Sequence, residues 1–309
     1  RILRGERALE AADEVLAGAQ EAGHHRGLAV LIVGPPARHL TRLRDQLRDE
    51  RRLIGAAPVQ GVHRVDRHAR GVGRTKQRDL IAGHERGHLH PLLGRRLPSP
   101  LATVTFQSEI STETLAILGD HRVFGTAILP ATAFLEIALA AGRTFFPDSE
   151  LDDVVIHEAL VALDEGIITV QTILTPDASG VSFRIYSQVE GADRWATHVS
   201  GRIIAAGVHA PMPPGESIEA IQRRADRVVE ADEHDARMNE RGLVFGASLR
   251  NVHRVWTAAA DAAGAHGGEA LGEIALAPRE AAESRRYVVH PALLDAAIQV
   301  LAGVAASGP

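Results

Sequence analysis

Asp120-His-Arg-Val-Phe-Gly-Thr-Ala-Ile-Leu-Pro130 runs directly into Ala131-Thr-Ala-Phe-Leu-Glu-Ile-Ala-Leu-Ala-Ala-Gly142. In the first segment His121, Gly125 and Pro130 stand as His-x-x-x-Gly-x-x-x-x-Pro, a base followed by a helix start. The second segment is apolar almost all round, so it predicts a helix that needs burial on every side. Pro130 suits the first helical turn, where a missing N–H costs nothing. Far downstream, His290-Pro-Ala-Leu-Leu-Asp-Ala-Ala-Ile-Gln299 opens a second apolar helix, predicted over 291–306 and again led by proline. It carries one carboxylate, Asp295, on an otherwise greasy surface. A charge in that setting is costly unless it is paired or functional. Gln299 falls one helical turn later, within reach of Asp295.

Strand signals surround both helices. Ala102-Thr-Val-Thr-Phe-Gln-Ser-Glu-Ile110 alternates apolar and polar residues with the period of a half-buried strand. Strand-like runs follow at 153–162, 167–175 and 181–189, and then Trp195-Ala-Thr-His-Val-Ser-Gly-Arg-Ile203. Pro211-Met-Pro-Pro-Gly215 has the composition of a stiff linker. Beyond it come an acidic helical stretch around 216–240, Gly242-Leu-Val-Phe-Gly-Ala-Ser-Leu249, and strand candidates near 251–256 and 269–276. Two proline-led apolar helices, each wrapped by strand signals, form a repeat of structure rather than of letters.

The frame around His121, the Asp295-x-x-x-Gln299 spacing, His90-Pro-Leu-Leu-Gly94 and the Trp195 to Gly201 run together resemble the dehydratase domain of modular type I polyketide synthases. The resemblance implies an α+β, double hot-dog fold, in which two antiparallel sheets each wrap a central apolar helix. It implies an N-terminal hot-dog at 90–208 and a partial C-terminal hot-dog at 209–309, since the family's second half continues for several strands past this helix. The implied reaction is dehydration of a β-hydroxyacyl thioester, with His121 and Asp295 as its catalytic pair and Gln299 in support. No bound cofactor is implied, because the substrate arrives on the phosphopantetheine arm of an acyl carrier protein. That carrier and the neighbouring synthase domains are the expected partners, and a homodimer follows from the dimeric parent synthases.

Such an elimination needs a base for the α-proton, an acid for the departing hydroxyl, and donors for the oxygen of the thioester carbonyl. A neutral imidazole at His121 suits the first. A carboxyl held among Leu293, Leu294 and Ile298 suits the second, because burial raises its pKa. Backbone N–H groups at Gly125 and at the helix headed by Pro130 suit the third. One departure bears on the site. Where the family presents Gly-Tyr-x-Tyr-Gly-Pro-x-Phe, this chain has Gly242-Leu-Val-Phe245-Gly246-Ala-Ser-Leu249. Phe245 and Gly246 remain to shape the pocket, but a phenolic hydrogen bond worth about 1 kcal/mol is gone. That loss supports an alternative, a catalytically silent hot-dog module with a structural or protein-interaction role. His157, His198, His253 and His290 read as structural.

Composition narrows the rest. The sequence has no cysteine, which excludes disulfides and thiolate metal sites and favours a reducing, cytoplasmic setting. No apolar run is long enough to span a bilayer, and the first residues lack a signal peptide's core. The absence of an initial Met points to a piece of a longer protein. The net charge of -5 divides into +8 over residues 1–99 and -13 over the remainder. The basic segment, 1–89, reads as a small α/β unit with a helix at 6–22 and a strand at 28–33, followed by an irregular Arg-, His- and Gly-rich tract at 56–89. It has no interleaved aromatics, so nucleic acid is not expected as a partner. His84-Glu-Arg-Gly-His88 matches a zinc-hydrolase spacing, but its glycines and Arg86 suit such a helix poorly, and no metal is expected. Gly34-Pro-Pro-Ala lacks the frame of a nucleotide-binding turn.

Overall fold

The computed structural model describes residues 28–29, 90–162, 166–178, 180–207, 217–258 and 269–304. The expected helix 6–22, the tract 56–89, the His84 and Gly34 motifs and the linker 211–215 lie outside the described residues, as does most of the strand expected at 28–33.

The first half is a six-stranded antiparallel sheet around one helix. Its strands are β2 (Arg95–Leu97), β3 (Val104–Ile110), β6 (Ser149–Ile156), β7 (Ile168–Asp177), β8 (Gly180–Val189) and β9 (Ala196–Ala205), in the order β2-β3-β7-β8-β9-β6. Alternate residues face inward: Ile168, Val170 and Leu174 from β7 and Val181, Phe183 and Ile185 from β8 are all nearly solvent-free. They close on helix α2 (Ala131–Gly142), which buries Ala133, Phe134, Ile137, Ala138 and Ala141. Each large side chain so buried contributes roughly 1.5–3 kcal/mol of transfer free energy. The absence of a polar face on α2 therefore selects the wrapped arrangement. The run expected as a strand at 153–162 forms one at 149–156 instead, bent by a bulge between Asp152 and Val155 with Asp153 at φ 50.

Among the described residues, the second half repeats this plan with a four-stranded sheet. Helix α6 (Pro291–Val304) packs on β12 (Val252–Ala258) and β13 (Glu269–Ile274), in a sheet ordered β1-β13-β12-β10. Strand β1 is the described pair Leu28–Ala29, and β10 is Arg227–Glu230. The acidic stretch expected as one helix around 216–240 is therefore two, α3 (Ile218–Arg224) and α4 (Ala231–Glu240), with β10 between them. Ala225 turns to an extended conformation, and Val228-Val229 suit the pleated edge offered by β12. Pairing with that edge overrides helical propensity. A short helix α5 (Pro278–Glu283) and a 3-10 turn then lead to α6.

Two features join the halves. Helix α1 (Ala116–Asp120) delivers the chain to a hairpin of β4 (His121–Val123) and β5 (Thr126–Ala127), and β4 pairs antiparallel with β11 (Leu243–Phe245) of the second half. The second join is Glu136 of α2. Its Oε1 accepts from the Val288 N–H at 2.7 Å and from His90 Nε2–H at 2.8 Å, and its Oε2 accepts from the Val289 N–H at 2.8 Å. With antiparallel sheets each wrapped round an apolar helix, the chain is a double hot-dog.

Candidate active site

His121 begins β4, where its partner across the sheet is Phe245. The two rings lie 5.8 Å apart and tilted. His121 Nδ1 is 3.2 Å from the Ile128 carbonyl. A carbonyl can only accept, so Nδ1 carries the proton and Nε2 is left with its lone pair. Burial holds the His121 pKa below its ordinary value, against opposing pulls from Asp295 and the Ile128 carbonyl. At neutral pH the ring is therefore neutral, with Nε2 as its acceptor atom.

The loop that closes β4 onto β5 explains the Gly125 position. Val123 pairs with Thr126, so Phe124 and Gly125 are the two loop residues, with φ of 49 and 83. Both positive values mark a type I′ turn, which matches the twist of the strands and favours glycine at the second loop position. Gly125 is exposed at the hairpin tip, with its carbonyl 3.1 Å from Arg122 Nη1. Pro130 is buried and stands just before α2, with its carbonyl accepting from the Ala133 N–H at 3.0 Å. No side chain caps that helix start.

Asp295 comes from α6, whose start is set by His290: the His290 Nδ1 accepts from the Ala292 N–H at 3.3 Å, and Pro291 is the first helical residue. Asp295 is 7% exposed. Gln299 Nε2–H donates to Asp295 Oδ2 at 2.7 Å and to the Leu249 carbonyl at 3.3 Å. Burial pushes the Asp295 carboxyl up, while His121 and the Gln299 N–H pull it down. Because Oδ2 is occupied as an acceptor, a protonated Asp295 carries its proton on Oδ1. His121 and Asp295, from opposite halves, thus act on each other's charge.

Phe245 sits between the two halves, packed against the larger core. Gly246 has a steric reason: its N–H donates to the Asp120 carbonyl at 2.8 Å, and a Cβ there would collide with the Asp120 carboxylate. That carboxylate in turn accepts from the Ser248 N–H at 2.9 Å. The 242–249 segment is therefore anchored to the residue immediately before His121.

Sequence reasoning missed two groups. Glu136 is 1% exposed, and its isolation within the apolar run 131–142 is the same signal that singled out Asp295. His234 on α4 reaches Gln299 Oε1 at 3.4 Å, and nothing in the acidic stretch marks it as interior. His198 has both ring nitrogens engaged, with Ser187 at 2.7 Å and the Glu158 carbonyl at 3.0 Å. Among the described residues there is no cluster of metal-ligating side chains and no helix long and apolar enough to cross a membrane.

Residues 90–188 match the family model of the polyketide synthase dehydratase domain, and residues 213–309 match that of the polyketide synthase dehydratase N-terminal domain. The polyketide synthases GfsB and GfsE of Streptomyces halstedii are 32% and 34% identical over 63% and 72% of this chain. The matched stretch spans only 3% and 6% of those two proteins. Among solved structures, the dehydratase domain from the CurK module of curacin polyketide synthase is 33% identical, with a TM-score of 0.63 over 71% of this chain and 76% of that one. An Asp→Asn and a His→Phe mutant of CurK dehydratase, both inactive, match with TM-scores of 0.60 and 0.61 over 70% of this chain and 74% of theirs. The dehydratase domain from the terminal module of the rifamycin synthase is 30% identical, with a TM-score of 0.62 over 74% of this chain and 80% of that one.

Proposed function

The chain belongs to the dehydratase domains of modular polyketide synthases, and from that premise we propose that it removes water from a β-hydroxyacyl thioester carried on the phosphopantetheine arm of an acyl carrier protein. His121 Nε2 takes the α-proton, and the electron pair released forms the α,β double bond as the β C–O bond breaks. Asp295 Oδ1–H gives its proton to the departing hydroxyl, which leaves as water. The imidazolium then returns its proton to the carboxylate, directly or through solvent, and the pair is reset. Elimination is redox-neutral, so the side chains and substrate suffice without a bound cofactor. Backbone N–H groups at the start of α2 and at Gly125 meet the negative charge that develops on the thioester oxygen. Carrier protein and adjoining synthase domains are the partners, and a dimer is the expected assembly.

The observation that carries this reading is the opposite shift of a half-buried imidazole and a buried carboxyl drawn from opposite halves. A base whose pKa is lowered by burial, set against a carboxyl whose pKa is raised by it, is the arrangement that an elimination uses. The inactive His and Asp mutants of the CurK dehydratase support it by likeness. Phe245, with no hydroxyl beside His121, favours the second reading of a silent module.

The two readings part in one experiment. With a soluble β-hydroxyacyl thioester, the wild-type chain turns over, and His121→Ala and Asp295→Asn each lower kcat by at least about a thousandfold with unchanged circular dichroism. No turnover by well-folded wild type selects the silent module, and retained activity in either variant removes the proposed pair.

A further inference from the structure

We propose that His234 is a positioning residue for the acid, holding the Gln299 amide so that its N–H faces Asp295 and the carboxyl proton faces the substrate. This rests on the dehydration reading above.

His234 lies on α4, a helix whose buried residues are His234 and Met238, one turn apart and packed toward β11 and β12. The side chain is 2% exposed, and its Nε2 is 3.4 Å from Gln299 Oε1. An amide oxygen can only accept, so His234 is the donor and its Nε2 carries the hydrogen. Gln299 is then held from both ends. Its nitrogen faces two acceptors, Asp295 Oδ2 and the Leu249 carbonyl, and its oxygen faces one donor. Were the amide reversed, its oxygen would accept the Asp295 proton on Oδ2, drawing it away from the leaving hydroxyl. The imidazole thus selects which carboxyl oxygen is acidic, acting through Gln299.

The groups acting on His234 are Gln299 and the charges of Asp235, Arg237 and Arg241; those acting on Asp295 are His121 and Gln299. Loss of the donor slackens the Gln299 N–H bond, which pulls the carboxyl pKa down, so Asp295 should titrate higher.

The test compares His234→Phe, which removes the donor, with His234→Gln, which keeps an N–H. We expect the Phe variant to lose about fivefold in kcat at unchanged KM, as one neutral hydrogen bond of three is worth. Its Asp295 carboxyl, followed by carbon NMR and assigned by Asp295→Asn, should titrate upward, and the Gln variant should recover both properties. Nitrogen NMR of the wild-type chain should find His234 protonated at Nε2 at neutral pH. A bare Nε2 overturns the proposal even if the Phe variant does not fold. So does a folded Phe variant with wild-type kcat and wild-type Asp295 titration, or a Gln variant no better than Phe. If wild type shows no turnover while the Asp295 titration still moves, the dehydration reading fails and the positioning contact stands.

Discussion

Helices α2 and α6 are the same kind of object, an apolar rod led by proline and carrying one buried carboxylate, yet the two acids are surrounded differently. Glu136 accepts three donors, from His90, Val288 and Val289, and so ties the core of the first half to the chain entering α6. Asp295 accepts one, from Gln299, and otherwise feels the charge of His121. A buried carboxylate that is fed several hydrogen bonds becomes a fastener. One that is underfed is pushed toward its neutral form, which suits it to the proposed role of acid. The number of donors, rather than depth, separates the fastener from the proposed acid here.

Exchanging each acid for its amide should expose the contrast most sharply. Asp295→Asn is expected to lose turnover by the thousandfold or more while unfolding at an unaltered or higher denaturant midpoint. Glu136→Gln should do the reverse: it puts an amide N–H among three donors, lowering stability by about 3 kcal/mol in chemical denaturation while the folded fraction keeps its kcat. Equal behaviour of the two variants would end the distinction.

The histidines that start the two segments offer a second contrast, visible in acid. His90 caps its turn with Nδ1, accepting from the Leu92 and Leu93 N–H groups, and sets Nε2 on Glu136. His290 caps α6 the same way, but burial alone acts on it and holds its pKa down to about 4. A histidine with a folded pKa below its unfolded 6.5 favours the native state above pH 6.5, and that contribution is lost as pH falls toward 4. The loss from His290 reaches up to about 3 kcal/mol by pH 4. His290→Asn keeps a capping oxygen without the titration, so its stability should decline less between pH 6.5 and pH 4. A parallel decline in both proteins would assign the acid sensitivity to His121, His198 and His234, which are depressed as well.

The smallest expected effect probes the seam. Gly246→Ala pushes a methyl into the Asp120 carboxylate and loosens its bond to the Ser248 N–H, for about 2 kcal/mol of stability. Since Asp120 precedes His121, kcat should fall with it; a stability loss with intact kcat would mean that the base is placed by β11 pairing alone.

Much of the fold is legible in the sequence because period and punctuation are local. The alternation over Val104–Ile110 and the unbroken apolar surface of 131–142 announce a strand and a swaddled helix before any neighbour is known. What could not be read is pairing between distant segments. Arg227–Glu230 is a strand only because β12 offers an edge, and nothing in Leu243-Val-Phe245 says that it will meet His121. Within the site, spacing drew attention to His121 through its frame with Gly125 and Pro130, and to Asp295 and Gln299 because an ionisable or amide side chain on an apolar helix stands out. His234 lies in a polar helix and is interior only once α4 packs down, so its reach to Gln299 is a property of the folded chain.

Strand β4 pairs on one side with its neighbour β5 and on the other with β11, which is synthesised long after it. Bringing those segments together costs loop-closure entropy that local contacts in the first half do not offset. On the ribosome, then, the first hot-dog can close around α2 while the imidazole at its rim is still unclasped. On the proposed dehydration reading, the centre stays inert until the later half brings Asp295 into the field of His121.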